Sequence, residues 1–183
     1  RGAPGNMVWV RSEYAGELAV LSTWVTALLP WNVFYGAVAG GSVLFVRFPL
    51  FQIRYAFGVP LVRATSVSSP VSAYLLQSGT SVQIAYGLWL VGALVYLIAL
   101  GVSLFYYREE ERAETWPVDP VDVLGGLLVA AAALFLIASV LLPERFFGIG
   151  FGVGGGFPGI SLPVGAVLQL ALGVVLLRAD RVA

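Results

Sequence analysis

Residues 82–108 read VQIAYGLWLVGALVYLIALGVSLFYYR, a stretch with no charge before its final arginine and one amide, Gln83. A helix crossing hydrocarbon needs about 20 mostly apolar residues. Tyr106 and Tyr107 followed by Arg108 form the aromatic-then-cationic edge of a chain leaving a bilayer. The stretch predicts a membrane span over 82–107.

Three further spans follow outward from it. Residues 121–142, between Pro120 and Pro143, carry Asp122 at their start and are otherwise apolar, with Ser139 the one hydroxyl. Residues 162–177 predict another span, with Ser161 placed to cap it, Pro163 in its first turn, and Arg178 and Arg181 beyond its end. Towards the N-terminus, the uncharged stretch 18–46 is too long for one straight span and too short for two. Pro30, Gly36, Gly40 and Gly41 interrupt it. The first span is therefore placed at 14–31, ending on Trp31, in preference to one kinked helix reaching 46. Glu13 and Glu17 precede its apolar run, which does not read as a cleavable signal.

Composition agrees. Hydrophobic residues are 59% of the 183, charged residues 11%, against roughly 25% charged in ordinary globular chains. Mean hydropathy is +0.90. Ten basic and ten acidic residues leave no net charge, so a nucleic-acid partner is not expected. There is no Cys, His or Lys; all ten basic residues are Arg. Disulfides, thiolate or imidazole metal sites, and Cys, His or Lys catalysis are thereby excluded.

With four spans, Arg1, Arg11, Arg108, Arg112, Arg178 and Arg181 fall on one side, and Arg47, Arg54, Arg63 and Arg145 on the other. The bias places both termini in the cytoplasm of a multi-pass cell-membrane protein. The loop 108–120 is then cytoplasmic and acidic, a solvated link; its glutamates lack the ligand spacing of a calcium loop.

The first extracellular segment, about 32–80, is longer than a helix–helix turn and too apolar for disorder. From Leu50 it alternates, with Gln52 and Arg54 on one face and Phe51, Ile53, Tyr55 and Phe57 on the other, which is a strand signal. Pro49 confines that strand to an edge or a bulge. Gly40-Gly41 suits a hairpin turn between 32–39 and 42–48. TSVSSP at 65–70 reads as loop, and 71–76 as a short helical approach to the second span. In the second extracellular loop, 143–161, Gly150, Gly152 and Gly155 satisfy G-x-G-x-x-G, but no strand precedes them and Pro158 follows. Nucleotide binding is not expected. The alternation of glycine with Ile149, Phe151 and Val153 suits close approach to the strands of the first segment.

Ser22, Thr23, Thr26, Ser103, Ser139 and Gln169 are the polar positions inside the spans and read as helix–helix hydrogen bonds. Nothing assembles a catalytic, cofactor or metal site, so no enzyme activity is expected. Arg47, Arg54, Arg63 and Arg145 are the candidate contacts to lipid headgroups or a partner, for which the guanidinium fork is suited.

The stretches MVWVRSEYAGELAVLSTWVTALLPW (7–31) and LFVRFPLFQIRYAFG (44–58), with the lysine-free composition, resemble an uncharacterised family of small four-span membrane proteins of halophilic archaea. The layout is also similar to claudin-type proteins, with a long first external segment carrying strands. The external cysteine pair and W-G-L-W-type signature of that family are missing, so the similarity is one of architecture and carries no function.

The expected fold is a four-transmembrane-helix bundle with a small extracellular β-layer: membrane all-α with minor β. The expected function is a non-enzymatic scaffold or accessory subunit. It presents an apolar, Arg-bearing extracellular surface, rich in phenylalanine (Phe45, Phe48, Phe51, Phe57, Phe146), to another membrane subunit or a second copy. The alternative is a lipid or small-solute carrier or channel, which requires Thr23, Thr26, Gln83, Ser103, Ser139 and Gln169 to converge on one path.

Overall fold

The computed structural model describes residues 14–38, 40–59, 63–113, 115–146, 149 and 156–179. In chain order they form α1 (Ala15–Leu28), β1 (Asn32–Val38), β2 (Gly41–Arg47), β3 (Gln52–Phe57), β4 (Thr65–Ser68), α2 (Pro70–Leu76), α3 (Gln83–Arg108), the single turn α4 (Glu110–Ala113), α5 (Pro120–Leu141), β5 (Gly159–Leu162) and α6 (Val164–Leu177).

Two helices, α3 and α5, are long and apolar enough to cross a membrane. Helices α1 and α6 have 14 residues each, about 21 Å at 1.5 Å per residue, which is shorter than the stretches 14–31 and 162–177 expected to span. The reason lies at the ends facing the sheet. Pro30 ends α1 and the chain turns directly into β1. Ser161 and Leu162 belong to β5, and Ser161 does not cap α6. The first free N–H groups of α6 are instead taken by the α1–β1 connection: Gly165 donates to the Pro30 carbonyl at 3.1 Å and Ala166 to that of Trp31 at 3.3 Å.

The helices pack through small residues. A Cβ on Gly92 would fall 2.6 Å from the Phe135 ring, and one on Gly173 would fall 3.0 Å from the Gly125 carbonyl. Such positions let α3, α5 and α6 approach closely. The bundle is apolar inside and out: Trp89, Leu124, Leu128 and Phe135 are buried together with Ser22, Thr23, Thr26, Ser103, Ser139 and Gln169, while Leu21, Leu28, Ile98, Ile137 and Val167 are exposed.

The strands form one antiparallel sheet in the order β4-β3-β2-β1-β5. The β1–β2 hairpin turns where Gly40 takes φ 85°, the left-handed region glycine tolerates. Its register pairs Val38 with Gly41, and hence Asn32 with Arg47. Pro49 lies in the β2–β3 connection, so it removes no ladder hydrogen bond. Residues 65–68, expected as loop, are a fourth strand paired with β3. The weak alternation of Thr65, Ser66, Val67 and Ser68 is overridden by the free edge that β3 offers. Helix α2 follows at once, with Ser69 and Ser72 forming a capping box and Pro70 in the first turn. The glycines of the G-x-G-x-x-G match, and Phe147 and Phe151, lie outside the described residues. Sheet pairing with β1 comes from Gly159–Leu162, just beyond that run.

Candidate functional site

The strand bases meet the helix ends in a buried polar knot. The hairpin register places Asn32 and Arg47 side by side. Arg47 is 0% exposed. Its Nη1 donates to Asn32 Oδ1 at 2.9 Å and its Nη2 to Tyr86 Oη of α3 at 3.0 Å. Asn32 Nδ2 in turn donates to Ser139 Oγ of α5 at 2.6 Å and Ser161 Oγ of β5 at 2.7 Å. Ser161 closes the knot by donating to the Ser139 carbonyl at 3.0 Å.

Among the described residues no carboxylate pairs with Arg47. A buried charge without a counter-charge is costly, and here the compensation is dispersed. The guanidinium carbon sits 4.6 Å from the Phe45 ring centroid, 5.6 Å from Tyr86 and 5.8 Å from Phe34. Desolvated cation–π contacts contribute about 2 kcal/mol or more. A guanidinium suits this place because it is weakly hydrated and its planar fork reaches two acceptors at once. Arg47 Nε remains without a partner. The knot joins β1, β2 and β5 to α3 and α5 and so locks the sheet to the helices.

Beside it, the β2–β3 connection is pinned to the bundle. The Trp31 and Trp89 indoles both donate to the Phe48 carbonyl, at 3.1 and 3.2 Å. Trp31 stacks on Phe135 at 5.1 Å between centroids.

The two faces of the sheet differ sharply. Cross-strand partners share a face, so Phe34, Phe45, Arg54, Ser66 and Ser161 lie on the inner one with Asn32, Arg47, Gln52 and Ser68. Phe157 packs on the Phe34 and Phe45 rings at 6.0 and 6.2 Å. The opposite face carries Val33, Tyr35, Leu44, Val46, Ile53, Tyr55, Phe57, Val67, Ile160 and Leu162, and no charged residue at any strand position. Val67 is 67% exposed, Ile160 64%, Tyr35 54% and Phe57 50%. The apolar side of the sheet is turned outward.

The four arginines expected on the external surface therefore separate. Arg47 is interior, which corrects the expectation that it reaches a headgroup or partner: the hairpin register sets it opposite Asn32 and beneath the rings. Arg54 shares that inner face and is half-buried, with an unpartnered buried Nε. Only Arg63 and Arg145 are exposed, and they are not brought together with the other two into one patch. Asn32, Ser161 and Tyr86 were missed as members of the knot. A Gly40-Gly41 turn would pair residue 32 with residue 49; the observed register, with Gly41 already in β2 opposite Val38, brings Asn32 to Arg47 instead.

The polar helix positions pair off locally. Thr23 and Thr26 donate to carbonyls of their own helix, Thr26 also meets Tyr96 Oη at 2.9 Å, Ser103 bonds Leu100 of α3, and Gln169 bonds the Leu128 carbonyl of α5. Ser139 belongs to the knot. These bonds lie within helices or between particular pairs.

A family model described as a family of unknown function, DUF7549, matches residues 8–181, and the chain belongs to that family. No curated protein matches it.

Proposed function

We propose that this chain is a multi-pass integral membrane protein of the cell membrane. In this reading α1, α3, α5 and α6 form the membrane bundle, the sheet stands outside, and both termini are cytoplasmic. Its role is that of a non-enzymatic scaffold or accessory subunit, docking a membrane-protein partner or a second copy. The membrane reading is supported by the length and apolarity of α3 and α5 and by the leucine, isoleucine and valine side chains exposed on the outside of the helices. The scaffold reading is carried by one observation, the charge-free outer face of the sheet around Tyr35, Phe57, Val67 and Ile160. Exposed apolar patches of this kind mark interfaces. The docking surface is thus apolar, and the arginines of β2 and β3 support it from behind.

The test is association in nanodiscs made directly from the source membrane. The protein is expected to run as a homo-oligomer or with a stoichiometric membrane partner. Val67→Glu with Ile160→Glu, both at exposed positions, is expected to abolish that association while the melting curve is retained. A strictly monomeric wild-type protein that co-purifies with no subunit overturns the scaffold reading.

A further inference from the structure

A groove runs between α1 and α3 on the outside of the bundle. The two helices are antiparallel: Gly16 of α1 abuts Tyr106, and Thr26 meets Tyr96. Between these contacts and the outer surface, the helices splay around Leu21 and Trp24. One part, of about 510 Å³, runs from there to Glu17 and Tyr107. The other, of about 590 Å³, runs from there to Leu28, over Leu100, Gly101 and Leu104. Both volumes lie in the roughly 300–1,000 Å³ range of small-ligand sites.

We propose that this groove is a binding site for one membrane lipid, its chain lying along α1 and its headgroup at Glu17. The proposal rests on the membrane reading above. Three features select this occupant. The floor is apolar over the length of α1, about 21 Å by helical rise, which suits a linear chain. The only charged lining residue lies at one end, so the site has the polarity of an amphiphile. Glu17 is exposed and forms no ion pair among the described residues. A free carboxylate accepts hydrogen bonds and repels anions, so it selects a zwitterionic headgroup ending in an ammonium donor. Gly101 opens the floor: a Cβ there meets nothing within 4 Å. A helix from another molecule is the wrong shape, since it needs axes 8–10 Å apart and small residues along the seam, and Gly101 is the one glycine in that half of the groove.

The experiment uses the full chain reconstituted into vesicles of phosphatidylethanolamine, phosphatidylglycerol or phosphatidylcholine. Flotation is measured first; a chain that fails to float with any vesicle removes the membrane reading itself. Floated protein is then washed in mild detergent, and retained lipid is counted by native mass spectrometry. One lipid per chain is expected, kept from phosphatidylethanolamine in preference to phosphatidylglycerol, which is anionic, and phosphatidylcholine, which has no N–H donor. Gly101→Trp fills the floor and is expected to lower retention roughly tenfold or more. Glu17→Ala, at an exposed position that leaves the packing intact, is expected to keep the chain bound but abolish the headgroup preference. No retained lipid in floated wild type, equal retention in Gly101→Trp, or a dimer cross-linked through Trp24 in place of lipid overturns the proposal.

Discussion

Arg47 permits a test in which removing a charge costs less than removing its partner. Asn32→Leu takes away the acceptor at 2.9 Å from Nη1 and leaves the guanidinium fully buried. A hydrogen bond to a charged group contributes about 1.5–3 kcal/mol. Ser139 and Ser161 lose the Asn32 donor but keep each other at 3.0 Å, so they add little. The expected destabilisation is about 2–4 kcal/mol, the upper end reflecting a buried charge left with fewer partners. Arg47→Met removes the charge and retains an unbranched side chain among Phe34, Phe45 and Tyr86. It orphans Asn32 Oδ1 and the Tyr86 hydroxyl, at about 1–3 kcal/mol each, gives up the cation–π contacts, and in return relieves the desolvation of a charge that has no carboxylate beside it. Its net cost is expected to be about 1–2 kcal/mol. In the double variant neither the stranded charge nor the orphaned carbonyl remains, so it should be more stable than Asn32→Leu alone. The measurement is equilibrium unfolding in mixed micelles followed by tryptophan fluorescence, completed as a double-mutant cycle. Strict additivity, or Arg47→Met costing more than Asn32→Leu, refutes the reasoning that this guanidinium is an under-compensated charge held by its neighbours.

The remaining expectations concern single positions and are read by thermal melting in the same detergent. Gly165→Leu should cost about 3 kcal/mol or more, because its Cβ would lie 2.2 Å from the Pro30 carbonyl and push α6 off the α1–β1 connection. Gly126→Ala should stabilise by about 0.5–1 kcal/mol, since a Cβ on that α5 position meets nothing and the residue is a poor helix former. Ser69→Ala should cost about 1 kcal/mol by removing the hydroxyl that accepts the Ser72 N–H in the capping box.

The readable parts of this fold are those governed by local periodicity. The uncharged stretch at 82–107 gave α3 within a residue, and the 121–142 stretch gave α5. The alternation at 50–57 gave β3, and Gly40-Gly41 gave the hairpin. The illegible parts depend on distant partners. Thr65–Ser68 and Gly159–Leu162 have weak strand character by themselves and become strands because β3 and β1 expose edges to them. Leu162 looked like the start of a helix because apolar runs do not announce where a strand hands over to one. The burial of Arg47 is illegible because it depends on a register two residues off the one a Gly40-Gly41 turn sets, and on Tyr86, Ser139 and Ser161 brought in from distant elements.

The knot also has a schedule. Asn32 and Ser161 are 129 residues apart in the chain, and Ser139 and β5 come from its last third. A nascent chain has Arg47, Phe34 and Phe45 in its first hairpin long before the serines and the strand that complete their surroundings exist. Closing so long a loop is an entropic cost incurred before β5 returns any binding energy. A two-stranded hairpin is marginal by itself, so the setting that buries Arg47 is complete only when β5 pairs with β1 and Ser161 reaches Asn32.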